Sequence, residues 1–397
     1  MITGYFVLGI YVAGMFLVCL DFSSHVKEIH KRMIFDAFCL LLVFLAAMKN
    51  PSVSPDTEAY VDFFYRETPP LSLNILRTNY FFESGYVFLN SAVKYFRMDY
   101  HMLFFIVAAI SVLLYRHVIL KYSKYRFLSL FTYISCFYFL NEIVIIRSGI
   151  AGAIILFNIC SIVEKKYVRA VITIPIAMSF HSIAIVGILP LLMYGMEHER
   201  KEIVRLISIG TIWISVMMRF ISVFELAKLA GMLLPFLQPK INKLFGLYLH
   251  YSGGSYRRIL IYLPYYGLAL LGAGCFQKKK QGAGSRLFCQ KYRISLGNVP
   301  LMPSHSGTIQ NPARLDSVIL YYVTAAMACI IALEQIHVFS RASNLLFSIL
   351  VIAVSQFAES QKKRSSRFLI IAAAVMINSL IFFRQNFFNT DVNLFRF

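Results

Sequence analysis

Acidic residues are scarce: 19 Asp plus Glu face 39 Lys plus Arg in 397 residues, a formal charge of +20. Charged residues of both signs reach only 15%, where a soluble domain carries about 25%, and 58% of the chain is hydrophobic. A water-soluble globular protein is excluded. Cysteine is sparse and odd in number; Cys19, Cys39, Cys136, Cys160, Cys275 and Cys329 lie in apolar runs and Cys289 in a basic stretch, which argues against a disulfide framework. The N-terminus lacks a basic n-region and a small-residue cleavage site, so the first apolar run is expected to stay as a membrane span. No P-loop, His-Glu-x-x-His or Cys-x-x-Cys occurs, and Gly282-Ala283-Gly284 lacks the third glycine of a dinucleotide fingerprint. No metal and no cofactor is expected.

Long apolar runs are abundant instead. They cover 2–20, 33–48, 101–119, 127–142, 145–163, 170–194, 203–223, 258–276, 316–335, 342–358 and 367–383. A crossing helix needs about 20 apolar residues, with about 17 tolerated. Between the runs, the stretches 25–32, 121–126, 164–169, 277–314 and 359–367 concentrate Lys and Arg, and the positive-inside rule makes them cytoplasmic. The stretch 277–314 holds seven Lys and Arg and no acid, without the aromatic interleaving of a nucleic-acid site, so no nucleic-acid partner is expected. Both termini then fall outside. With 164–169 and 277–314 both inside, 170–194 must cross either not at all or twice, which predicts two short helices, 170–180 and 182–194, turning at His181. Residues 196–205 then return to the cytoplasm as a loop. The expected fold is a single all-α polytopic membrane domain, 1–397, of about twelve transmembrane helices.

Two outer segments are too long and mixed for simple turns. Residues 49–100 carry six acids and many rings, and 80–97 has the apolar spacing of an interfacial helix. Residues 224–257 oppose the positive-inside rule with Lys228, Lys240, Lys243 and, at the following span, Arg257 and Arg258. Either an anionic ligand or outer-leaflet phosphates account for these cations. The basic loop 277–315 completes the organisation.

Ionisable residues at membrane depth are costly and mark functional sites. Arg147 opens a span near its outer boundary, His181 sits at the hairpin turn, and Arg341 lies in a short outer turn, while Asp56 and Glu83 lie on the loop covering that face. Residues far apart in sequence thus converge on one side. Structural roles compete for each: Arg341 reaching headgroups from a span end, His181 as a helix cap, Asp56 capping a helix from Thr57, Glu83 answering a helix macrodipole. Asp56-Thr57-Glu58 resembles the acidic pair of soluble metal-nucleotide-sugar enzymes, but it falls on the outer face, where nucleotide sugars are absent.

The order of short motifs resembles the bacterial polysaccharide polymerases of the Wzy and EpsG type. The resemblance rests on Pro55-Asp56-Thr57-Glu58-Ala59-Tyr60, on Glu83-Ser84-Gly85-Tyr86 followed by Leu89-Asn90, on Ile146-Arg147-Ser148-Gly149-Ile150-Ala151, on Ser179-Phe180-His181-Ser182, and on Arg341 opening a late span. It covers 1–195 well and the remainder loosely. Ser148 stands where such proteins often have glutamine, and 277–314 is an unusual insertion. The resemblance implies a glycosyl transfer on the outer face of the inner membrane, from a polyprenyl (undecaprenyl) pyrophosphate-linked glycan to a lipid-linked repeat unit. It implies catalytic roles for Asp56, Glu83, Arg147, His181 and Arg341, with Arg147 and Arg341 on the pyrophosphate and the base open among His181, Glu83 and Asp56, a carboxylate being favoured and His181 then positioning phosphate or acceptor. Tyr60, Tyr86, Phe81 and Phe82 would contact sugars, and Arg257 and Arg258 a second pyrophosphate or the nascent chain. The implied partners are the lipid-linked oligosaccharide, the phospholipid bilayer, a chain-length regulator and a flippase. An O-antigen ligase, a polyprenyl-phosphate-sugar glycosyltransferase and a lipid-linked oligosaccharide flippase stay open as alternatives.

Overall fold

The computed structural model describes residues 4–76, 80–217, 257–272, 312–333, 340–361 and 363–387. Among them every regular element is helical. The outer segment expected at 224–257, apart from Arg257, and nearly all of the basic loop 277–315 lie outside the described residues. In chain order the helices are α1 (Gly4–Leu17), α2 (Glu28–Ala47), α3 (Pro55–Asp62), α4 (Ser84–Tyr95), α5 (Tyr100–Tyr122), α6 (Arg126–Tyr133), α7 (Ile146–Val163), α8 (Tyr167–Met178), α9 (Ile188–Met217), α10 (Arg257–Gly272), α11 (Pro312–Leu333), α12 (Ser340–Phe347), α13 (Leu350–Ser360) and α14 (Arg364–Phe387). Five stretches among the described residues are long and apolar enough to cross a membrane: Tyr100–Tyr122, Arg126–Val144, Ile146–Val163, Arg341–Ser360 and Arg364–Asn386. Shorter apolar helices add Val7–Asp21, Tyr167–Met178, Ser182–Met196 and Leu315–Ile330.

Packing centres on α7, which lies against α5, α8 and α12. Its small residues permit this closeness, since Gly152 and Ala153 leave room for a neighbouring backbone. Leu345 of α12 comes within 3.6 Å of where a Gly152 side chain would begin. The described cysteines Cys19, Cys39, Cys136, Cys160 and Cys329 are unpaired, as expected.

The expected hairpin at His181 is present: α8 ends at Met178, and a 3-10 segment Ser182–Gly187 leads into α9. Tyr194 returns beside Tyr167, their ring centroids 6.0 Å apart. The loop expected at 196–205 is not. Helix α9 runs unbroken from Ile188 to Met217. Residues 196–205 contain neither Gly nor Pro and place Glu197 four residues before Lys201, a helix-favouring spacing that average charge does not reveal.

Between α6 and α7 the chain reverses with almost no loop. Helix α6 widens into a π-helix over Ile134–Val144, and Ile145 (φ −108°, ψ 59°) is the single residue before α7. The Ile145 N–H donates to the Leu140 carbonyl at 2.8 Å and the Gly149 N–H to the Ile145 carbonyl at 2.9 Å. A helix end leaves carbonyls without intrahelical partners. Here the buried Lys49 ammonium donates to the Glu142 carbonyl at 2.7 Å, and the Thr57 hydroxyl to the Ile143 carbonyl at 3.1 Å. Lys49 also lies over the Phe104 ring, 4.2 Å from its centroid.

So abrupt a reversal requires glycine at 149. A Cβ there would meet the Asn141 carbonyl oxygen at 2.5 Å, a backbone atom that cannot swing aside. Gly149→Ala is expected to destabilise the protein by about 1–3 kcal/mol, the usual cost of overpacking. A lowered thermal midpoint in detergent checks this.

Candidate functional site

The site forms where the 49–57 segment, the N-terminus of α4, the start of α7 and the turn after α8 meet. Ser54 starts α3: its Oγ accepts from the Thr57 N–H at 3.2 Å, and Pro55 occupies the first turn, where its missing N–H is harmless. Asp56 is therefore not the cap. Its Oδ2 instead accepts from Arg341 Nη2 at 2.8 Å, so Arg341 is paired with a carboxylate rather than extended alone.

Glu83 occupies the N-cap position of α4 but makes no side-chain bond to that helix. Its carboxylate joins two other segments, the start of α7 and the turn after α8. Oε2 is ion-paired with Arg147 Nη1. Oε1 accepts from the Ser182 N–H at 3.0 Å, contacts the Ser182 hydroxyl at 3.3 Å and lies 3.1 Å from His181 Nδ1. Burial pushes this carboxyl's pKa up, but the His181 bond, the Arg147 charge and the Ser182 N–H outweigh it and hold it at about 2. A carboxylate facing Nδ1 favours the tautomer with the proton on Nδ1, leaving the Nε2 lone pair free. His181 Nε2 is buried and has no hydrogen-bond partner among the described residues.

Gly85 is what lets α4 approach. Its N–H donates to the Ser179 carbonyl at 2.8 Å, and the Tyr86 N–H reaches the same oxygen at 3.3 Å. A Cβ on Gly85 would lie 2.8 Å from that carbonyl. The Glu83-Ser84-Gly85-Tyr86 and Ser179-Phe180-His181-Ser182 motifs are thus two halves of one contact.

The rings expected to meet sugars surround Arg147. Its guanidinium lies 4.2 Å from the Phe82 centroid, 5.6 Å from Tyr60 and 6.0 Å from Tyr86. The three rings pack on one another at centroid distances of 5.5–5.7 Å. Tyr60 and Tyr86 are buried, whereas Phe81 is 80% exposed. Tyr60 feels the charges of Arg147, Asp56 and Arg341 together, so the two arginine–carboxylate pairs share one neighbourhood. They differ in openness: the Asp56 and Arg341 side chains are 38% and 26% accessible, those of Glu83 and Arg147 19% and 14%. Arg341 is thus the more open of the two guanidinium groups. Arg257 and Arg258 open α10; their side chains lie outside the described part.

The chain matches the EpsG family over residues 32–397. It belongs to the EpsG family. That agrees with the motif order read from the sequence, and with the apolar helices it makes this a membrane protein. It is also similar to the amylovoran biosynthesis protein AmsC of Erwinia amylovora, 24% identical over 198 residues, which cover 48% of this chain and 52% of the relative. The match thus spans about half the length of that relative. No solved structure matches this EpsG-family chain.

Sequence reading missed Lys49, and it placed Thr57, Gly85 and Ser182 in motifs without giving them a role at the site. Lys49 had a signal: a lysine closing an apolar run beside Asn50-Pro51, where a buried role competes with reaching the headgroups.

A carboxyl held at about 2 against an ordinary 4.5 stabilises the fold fully above 4.5, and that contribution is lost as pH falls from 4.5 toward 2. The thermal midpoint of the wild type is expected to drop across that window, and Glu83→Gln to flatten the drop while lowering the midpoint at neutral pH. A melting series in detergent from pH 6 to pH 2 measures both.

Proposed function

We propose that this protein is an exopolysaccharide polymerase that transfers a growing glycan from its polyprenyl pyrophosphate carrier to an incoming lipid-linked repeat unit, on the outer face of the inner membrane. The observation that carries the reading is the cluster of Arg147, Glu83 and His181, drawn from three separate segments, with the Asp56–Arg341 pair beside it. Family membership and the similarity to an amylovoran biosynthesis protein support the same class of chemistry. In this reading both termini are periplasmic and the cluster faces outward, while the unbroken α9 joins two of the twelve expected crossings into one helix.

The reaction forms a bond from an acceptor hydroxyl oxygen to the anomeric carbon and breaks the bond from that carbon to the pyrophosphate oxygen. Negative charge grows on the leaving pyrophosphate, and fixed guanidinium groups stabilise it more than they stabilise the ground state. Arg341, the more open, receives the pyrophosphate; Arg147, held by Glu83 and the rings, is preorganised for the developing charge. Arginine supplies this charge without a metal, and its planar fork suits two phosphate oxygens at once.

The acceptor hydroxyl must lose a proton. Glu83, at about 2, is too weak a base for that task near neutral pH. We assign the base to His181 Nε2, with Glu83 holding Nδ1 and setting the ring's orientation. Asp56 holds Arg341 until phosphate displaces it. Phe81, the exposed ring, offers a face to a sugar, while Tyr60 and Tyr86 support Arg147 from behind.

The test is an electrophoretic ladder of surface polysaccharide from a deletion strain complemented with variants. Arg147→Ala is expected to lose long chains at normal membrane insertion, with turnover down about 10²–10³-fold, the scale of one lost transition-state donor. Arg147→Lys is expected to fail as well, because a point charge does not replace the fork. Normal chain length in Arg147→Ala, or lipid-linked repeats accumulating unflipped, overturns the reading. His181→Gln, which keeps a donor to Glu83 but removes the base, is expected to abolish polymer while leaving the thermal midpoint near that of the wild type.

A further inference from the structure

At the opposite end of α8 from His181 a different feature appears. A cavity of about 840 Å³ opens sideways between α5, α7 and α8, a size suited to a small ligand or one lipid chain. Its walls are apolar, with Ile154, Phe157 and Ile172 among them, and Lys165, Lys166 and Arg169 gather at one end. The outer face of α8 is apolar too: Val168, Val171, Ile172 and Ile176 are all exposed, as a lipid-facing helix requires.

The cations at that end outnumber their counter-ions. Glu164 accepts Lys121, as an ion pair, and Lys166 at 2.7 Å. Lys165 and Arg169 have no carboxylate partner among the described residues, and the Arg169 guanidinium lies over the Phe157 ring, 5.0 Å from its centroid. Four cations thus share one carboxylate. The turn that presents them is tight: the Lys166 N–H donates to the Ser161 carbonyl at 2.8 Å and the Lys165 N–H to Ile162 at 3.1 Å, with Lys165 at φ 59°. Glycine would take that position at less cost. Helix α8 begins here without an acid in its first turn, so its N-terminal dipole adds to the positive field.

An apolar slot closed at one end by surplus cations is complementary to an acyl chain bearing a phosphate. We propose that this slot binds one anionic phospholipid of the surrounding bilayer, its phosphate at Lys165, Lys166 and Arg169 and an acyl chain along Ile154, Phe157 and Ile172. The site is separate from the Glu83 cluster, and its occupant is structural lipid rather than the glycan carrier.

The test uses the full chain purified in detergent and read by native mass spectrometry with palmitoyl-oleoyl phosphatidylglycerol as the probe. The wild type is expected to retain one phosphatidylglycerol at least about tenfold more strongly than phosphatidylcholine. The triple variant Lys165→Ala, Lys166→Ala, Arg169→Ala is expected to lose that preference. Ile172→Trp, which fills the slot and keeps every charge, is expected to lose retention. Equal retention by wild type and triple variant overturns the proposal, as does retention by Ile172→Trp. Displacement by inorganic phosphate reduces the site to an anion patch and also overturns it. Preference for undecaprenyl phosphate over phosphatidylglycerol transfers the slot to the carrier and overturns it as well. No glycan is involved in the readout, so its outcome is independent of the polymerase assay.

Discussion

One carboxylate, that of Glu83, holds the candidate site together. It accepts from the Arg147 guanidinium, the Ser182 N–H and the His181 ring, groups that belong to α7 and to the turn between α8 and α9. A half-buried carboxylate is costly unless its oxygens are satisfied, and here the donors come from two parts of the chain, both remote in sequence from Glu83. The helices must therefore be correctly placed for the charge to be tolerated. In turn the charge keeps Arg147 and His181 at fixed separation, the preorganisation that the proposed glycosyl transfer needs.

The supports around this group divide the work. Gly85 removes a Cβ so that α4 can hydrogen-bond to the Ser179 carbonyl, which carries Glu83 to the turn. Lys49 and Thr57 take the carbonyls of Glu142 and Ile143, which fixes the end of the π-helix a few residues before Arg147. Gly149 lets α7 start against that end. Three rings close over the guanidinium and displace water from it, strengthening its attraction to Glu83.

The two ends of α8 carry opposite demands. At one end a helix stops at Met178 and the chain reopens to present His181; at the other, a two-residue turn gathers Lys165, Lys166 and Arg169 around a single acid. The first is a site of paired charges with one free nitrogen lone pair, the second a site of surplus charge beside an apolar slot. Such a contrast across one short helix sets two chemically different sites at its two ends.

The sequence by itself determined the helical class, because a chain this apolar must satisfy its backbone internally in lipid. It also pointed to the turn at His181, although the crossing count behind that reading took 196–205 for a loop where the chain is helical, and to the candidates Asp56, Glu83, Arg147, His181 and Arg341, since ionisable groups beside apolar runs are few. It did not reveal the unbroken course of α9, because a balanced run of acids and bases reads equally as loop or helix until neighbouring helices decide. Nor did it pair Glu83 with Arg147 and His181, or Asp56 with Arg341. Those pairs span 64 to 285 positions of sequence separation. Only tertiary packing selects among partners that distant, since the Coulomb attraction of any exposed Arg for any exposed carboxylate is nearly the same until burial and geometry distinguish them.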